Sequence, residues 1–355
     1  MSSTDDARAA AARERGYERI ATEEAWAPEE FLKLWLETAA NGSNDDPGFL
    51  SMWGGFYGNS PSARATFIRE GLTSLGERRL AHMDESGIDR QVIALTAPGT
   101  QAFDRDTGVA MATLANDQLA EACRTHPTRF TGLTAVAPQA PDLAAKEIER
   151  GHGLGLKGVI INSHTHSEYL DDKKYWPIFE AAQALDTPVY LHPTTPSRGL
   201  IQPMMDVGLE GAIYGFSVEV ALHTLRMIVA GVFDEFPRLK LVVGHLGEAL
   251  PFWLYRLDYM HAASVRSGRY ETMKPLQRKV SEYLRENVWV TTSGMPAAPT
   301  IMYCREVLGA ERVLYAMDYP YQYEPDEVTM QDELPLDAAA KKQFFQTNAE
   351  HVFGL

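Results

Sequence analysis

Five short apolar runs in this chain end in residues that can carry a proton or hold a cation. "RIATEE" ends in Glu23 and Glu24, "LKGVIINSH" in Asn162, Ser163 and His164, "PVYLHP" in His192, "LKLVVGH" in His245, and "RVLYAMD" in Asp318. A buried carboxylate is costly to desolvate unless a donor or a cation meets it. Runs that end repeatedly in His, Asp and Glu, rather than in turn residues, therefore point to a shared metal site. Side chains alternate along a strand. Ala21 is small enough for a crowded interior, and its parity carries Glu23 inward with it. Ile20 and Thr22 then face outward, and Glu24 is left to meet an arginine or a helix N-terminus at the rim. Glu23, His192 and Asp318 supply one imidazole and two carboxylates. Such a hard, oxygen-rich set suits Mn²⁺ or another octahedral ion better than a thiolate-bound structural zinc. His164 and His166 in "NSHTHSEY" also have ligand-like spacing, although His-x-His is common in polar loops. His82, His126, His152, His223, His261 and His351 fall on helices or their ends and read as structural.

The elements that must position these residues follow from the hydrophobic pattern. With "RQVIALTA", "FTGLTAVA" and "VWVTTS" the strand candidates number eight, each followed by a helical pattern. The clearest helices run from Ala63 to Ser86, Val109 to Thr125, Asp142 to Gly151, Phe216 to Val232 and Pro335 to Asn348. This alternation predicts parallel βαβ units closed into a (β/α)8 barrel. An open doubly wound sheet is the runner-up, but no G-x-G-x-x-G turn follows the first strand. In a barrel the active site lies at the C-terminal ends of the strands, which is where the polar residues fall. Two long loops, about 39–62 and 194–214, interrupt the alternation and read as lids or subunit contacts. The first would expose Phe49, Met52, Trp53, Phe56 and Tyr57 unless something covers them, which predicts a homodimer or homotetramer. Residues 1–17 read as a flexible leader and 18–355 as a single domain.

Composition limits the partners. Against 33 Lys and Arg stand 48 Asp and Glu, a formal net charge of −15, which repels nucleic acid and anionic membranes. No apolar run approaches the roughly 20 residues of a membrane span, and the N-terminal segment lacks the apolar core of a signal peptide. The expected location is cytoplasmic. Cys123 and Cys304 lie far apart in apolar helical context and read as reduced thiols without chemistry.

The stretches "RIATEEAW", "PSARAT", "GHLGEALPFWLYRLDYMH", "YAMDYPYQY" and "KKQFFQTNAE" carry a resemblance. The chain resembles the amidohydrolase superfamily, in its branch of metal-dependent aromatic acid decarboxylases, from about Gly16 to Leu355. The resemblance implies that Glu23, His192 and Asp318 bind the metal, Mn²⁺ first and Zn²⁺ or another divalent ion as the alternative, with no organic cofactor. It implies that His245 lies over the substrate, that Arg64 and Arg256 contact its anionic groups, and that Tyr321 lies near the ring. Many relatives carry a Glu-x-His pair on the first strand. Here Ala25 stands at the second position, which counts against hydrolase assignments drawn from the wider superfamily. The implied reaction is non-oxidative decarboxylation of an ortho-hydroxybenzoate, with 5-carboxyvanillate as the substrate. Asp318 is the expected proton donor, and His245 its alternative or partner. The competing readings are a metal-dependent hydrolase such as a lactonase, and a barrel that only binds a ligand.

Overall fold

The structure, a computed structural model, describes residues 3–355. Its strands are β1 (Ile20–Trp26), β2 (Arg90–Leu95), β3 (Phe130–Gly132), β4 (Thr134–Ala135), β5 (Val159–Asn162), β6 (Val189–His192), β7 (Leu241–Val243), β8 (Val288–Thr291) and β9 (Val313–Leu314). Every pairing is parallel, in the orders β1-β2-β3 and β4-β5-β6-β7-β8-β9.

These two sheets form one closed barrel. β3 and β4 are one strand interrupted at Leu133. There the Leu133 amide bonds to Ile93 O at 2.9 Å on one side, and the Thr134 amide to Gly158 O at 2.8 Å on the other. Just past the interruption Asn116 braces the strand, its side chain donating to Ala135 O and accepting from Ala135 N at 2.8 and 2.7 Å. At the other edge the Thr22 amide bonds to Tyr315 O at 3.0 Å and the Ala25 amide to Tyr319 O at 2.7 Å, joining the first strand to the last. The fold is therefore a TIM barrel of eight strands. The strands read as unbroken apolar runs because both of their faces are buried; β1 is buried along its whole length.

The helices pack outside by the same logic. Helix Arg105–Thr125 starts where Asp104 accepts from the amides of Asp106 and Thr107 at 3.0 and 2.9 Å, a cap that satisfies two of the orphan donors. It turns Gly108, Ala112, Ala115, Asn116 and Leu119 inward, the spacing of one helical face.

Three expectations are corrected. The helix expected from Ala63 to Ser86 is two, Ala63–Leu72 and Glu77–Ser86, broken where Gly76 interrupts the helical backbone. The segment read as a loose leader contains a helix, Ser3–Arg15, whose Arg15 donates to Asp89 at 2.5 Å. The first long loop does not leave its aromatics exposed. It winds into a π-helix, Leu50–Phe56. Trp53 packs tilted against Trp35, ring centroids 4.5 Å apart, and is buried, as is Phe49, and only Phe56 is exposed among the five residues named above. Helix Glu29–Asn41 supplies the cover that a partner was expected to give.

Candidate active site

The polar strand ends converge at the C-terminal mouth of the barrel. Glu23 is 5% exposed. Its Oε2 accepts from the hydroxyl of Thr291 at 2.5 Å and from that of Tyr190. Its Oε1 has no hydrogen-bond partner, and faces the Nε2 atoms of both His192 and His245 at 3.6 Å. Gly244 makes room for this carboxylate: a Cβ there would stand 2.8 Å from each oxygen. Asp318, on the loop after β9, lines the same cavity as Glu23, His192, Tyr190 and Ala25. It sits in the left-handed backbone region, φ +72°. The enclosed space is about 10 Å³, room for about one water-sized sphere.

Both histidines are oriented from behind. His192 Nδ1 donates to Pro193 O at 2.8 Å and to Asn162 Oδ1 at 3.0 Å, which leaves Nε2 as the acceptor facing the cavity. Asn162 is itself held, its amide bonding to Gln101 Oε1 at 2.8 Å. His245 Nδ1 pairs with Glu248 Oε1 at 2.7 Å. The turn that brings them together is left-handed throughout, with φ between +50° and +76° from His245 to Ala249. That conformation is uncommon for residues other than glycine, and such strain clusters at functional sites.

The electrostatics follow from this crowding. Burial pushes the His192 imidazole below its ordinary pKa, toward the neutral form that can bind a cation. Burial also works against the charged form of His245, but the carboxylates of Glu248 and Glu23 outweigh it and raise its pKa to about 10. Burial and the neighbouring Glu23 push the Asp318 carboxyl well up. A divalent cation among these groups would invert the local field and favour the ionised carboxylates.

The donor set fits such a cation. One buried carboxylate oxygen lacks a partner, one imidazole is fixed with its free nitrogen toward that oxygen, and a second carboxylate lines the same cavity. Among the described residues no three His, Cys, Asp or Glu side chains are drawn together at metal-holding distances. Tyr190 and Thr291 hold the second Glu23 oxygen instead.

The other expected residues lie farther out. Tyr321 bonds through its hydroxyl to Thr96 Oγ1 at 2.7 Å and packs edge-on against Tyr57. Arg64 is exposed, donates to Tyr321 O at 3.0 Å, and lines the groove outside the cavity with Tyr321. Arg256 is exposed on helix Leu254–Ser267 and does not line the cavity. His164 is committed elsewhere: its Nε2 bonds to Thr195 O at 3.1 Å and its Nδ1 accepts from Ser167 N at 3.2 Å. Glu24 is not at the rim. It is fully buried and bonds to Gln91 and to the amides of Met317 and Tyr319.

Three residues escaped the sequence reading. Tyr190 stands two positions before His192 and shares its inward parity, a signal that was present. Thr291 ends the seventh run in the same way as the polar ends that were noticed. Glu248 lies three residues after His245, but only the left-handed turn brings the two side chains together.

The amidohydrolase family model matches residues 64–355. A crystal structure of 5-carboxyvanillate decarboxylase from Novosphingobium aromaticivorans, complexed with manganese and 4-hydroxy-3-methoxy-5-nitrobenzoic acid, is 53% identical with a TM-score of 0.94, over 96% of this chain and 97% of that one. The 5-carboxyvanillate decarboxylase of Sphingomonas paucimobilis is 39% identical with a TM-score of 0.87, over 95% and 99%. Gamma-resorcylate decarboxylase of a Polaromonas strain is 35% identical over 298 residues, 81% of this chain and 90% of the relative. The chain belongs to the amidohydrolase family, on its branch of aromatic acid decarboxylases.

Proposed function

We propose that this decarboxylase acts on an ortho-hydroxybenzoate bearing a second carboxylate, 5-carboxyvanillate, and that it requires a divalent metal, manganese. The observation that carries the reading is the unpartnered Glu23 Oε1 facing two imidazoles beside Asp318. Glu23, His192 and Asp318 would hold the ion. When bound, it supplies Lewis acidity toward the phenolic and carboxylate oxygens of the substrate.

The chain's own residues do the rest. His245, held protonated by Glu248, is the source of the proton, and Asp318 passes it to the ring carbon that carries the carboxylate. The bond to the carboxylate then breaks, CO₂ leaves, and its electron pair restores the aromatic ring. No electrons enter or leave overall. Arg64, at the groove beside Tyr321, is suited to the second carboxylate.

We also propose that the chain works as a homo-oligomer. Phe252, Trp253, Tyr255, Tyr259 and Met260 are all exposed along the segment that follows His245, an apolar face of the kind that marks contact surfaces. Both cysteines are free, in keeping with a reducing, cytoplasmic setting.

The test is CO₂ release from 5-carboxyvanillate by manganese-loaded protein, set against opening of an aromatic lactone. Release of CO₂ with no lactone opening is expected. Lactone turnover alone would overturn the reading in favour of a hydrolase.

A further inference from the structure

Asp318 is held at φ +72°, a backbone conformation that is uncommon for a residue other than glycine, yet no bond from its own side chain explains why it stays there. The explanation lies across the barrel seam. Glu24 is fully buried. Its Oε1 accepts from the Met317 amide at 3.0 Å and its Oε2 from the Tyr319 amide at 3.2 Å. These are the residues on either side of Asp318, so one carboxylate grips the backbone before and after the strained residue.

The grip is anchored. Gln91 Nε2 donates to Glu24 Oε2 at 3.2 Å, and its Oε1 accepts from Arg79 Nη1 at 3.1 Å. Arg79 is itself fully buried, bonds to the carbonyls of Ser74, Ala25 and Gly71, and lies 4.6 Å over the ring of Tyr319. The two adjacent glutamates thus divide the work: Glu23 faces the cavity and Glu24 faces the backbone that carries Asp318.

We propose that Glu24 is a positioning residue for Asp318, setting its carboxyl at the cavity by holding both flanking amides. The inference rests on the reading of Asp318 as a site residue that binds the metal.

Glu24→Gln separates this role from simple support of the seam, because an amide nitrogen cannot accept from a backbone N–H. Manganese affinity is expected to fall 10- to 100-fold, the usual range for supporting residues of a metal site. Hydrogen exchange should quicken at least tenfold at whichever of the Met317 and Tyr319 amides is left facing the new NH2 group, since the remaining oxygen can still accept from the other. Thr22→Val is the control: it removes another seam bond, Thr22 Oγ1 to Tyr315 O at 2.8 Å, without touching either amide. It should lower the melting temperature and leave manganese affinity within twofold. Glu24→Asp keeps the carboxyl group near Arg79 but falls one methylene short, and should reproduce the metal loss if Glu24→Gln folds poorly. Unchanged exchange and affinity in Glu24→Gln, or an equal metal loss in Thr22→Val, would overturn the proposal. These readouts need no turnover. Wild-type protein that binds manganese but releases no CO₂ would sink the substrate reading and leave this one standing. Wild-type protein that retains no manganese would sink the ligand reading, and the exchange comparison would still decide the grip.

Discussion

His245 carries a pH signature that can be read in stability. With its pKa raised to about 10 from an ordinary 6.5, the folded state holds this proton more tightly than the unfolded chain. The stability it contributes is therefore fully present below pH 6.5 and is lost as pH rises through 10. In metal-free protein, Glu248→Gln should cost about 2 kcal/mol at pH 6, the size of a charge-assisted hydrogen bond, and almost nothing above pH 10. Urea unfolding across that range is the measurement, and a constant difference would refute the assignment. Arg64 yields a smaller expectation. It is exposed at the groove, where solvent screens its charge, so Arg64→Met should raise KM for 5-carboxyvanillate about tenfold, or ~1.4 kcal/mol. Arg64→Lys should recover part of this, since an ammonium lacks the two-pronged geometry. A steady-state comparison on an analogue without the second carboxylate should show no difference. His192 stands at the end of an apolar run, a signal that is local in sequence, whereas the aim of Glu23 comes with a register shift between Ala21 and Glu24 that simple alternation does not predict, and the pairing of His245 with Glu248 depends on a left-handed turn that no apolar pattern encodes.

At the scale of elements, the strand ends and the turns after them do different jobs. Strands bring Glu23, Tyr190 and His192 to one mouth, while the turns after β7 and β9 aim His245 and Asp318 at them. Gly244 joins the two, since its missing side chain leaves the space that Glu23 occupies. Its backbone is extended, φ −67° and ψ 180°, a conformation any residue can adopt. Gly244→Ala should therefore act by contact alone. The melting temperature should move by no more than about 4 °C, roughly 1 kcal/mol for a chain of this size, while manganese affinity falls on the order of 100-fold. Metal titration beside a thermal melt tests this, and a large drop in melting temperature with normal metal binding would refute it. All eight strands of the barrel were legible as apolar runs, because burial on both faces leaves a continuous signal. The first long loop was misread because its aromatics look the same in sequence whether Trp35 or a partner covers them.

For the whole molecule, the apolar face from Phe252 to Met260 and the charge of −15 pull in opposite directions. The proposed association would bury the aromatic face, while two acidic copies would repel each other. Light scattering should report a dimer or larger at micromolar concentration. Tyr255→Glu with Tyr259→Glu should give monomers, and moderate salt should tighten the wild-type assembly by screening. A wild-type monomer at all salt concentrations would refute the face as an interface. The seam that closes the barrel has a further consequence, in time rather than space. Thr22 bonds to Tyr315 across 293 positions of chain, so Glu23 is synthesised well before Asp318. At ~5–20 residues per second, roughly 15–60 s of synthesis separate them. During that interval the nascent chain would carry Glu23 and His192 of the proposed ligand set without Asp318. On the proposed ligand set, the turn after β9 would complete the site, so a chain stalled before it would stay open at the seam and lack its last ligand.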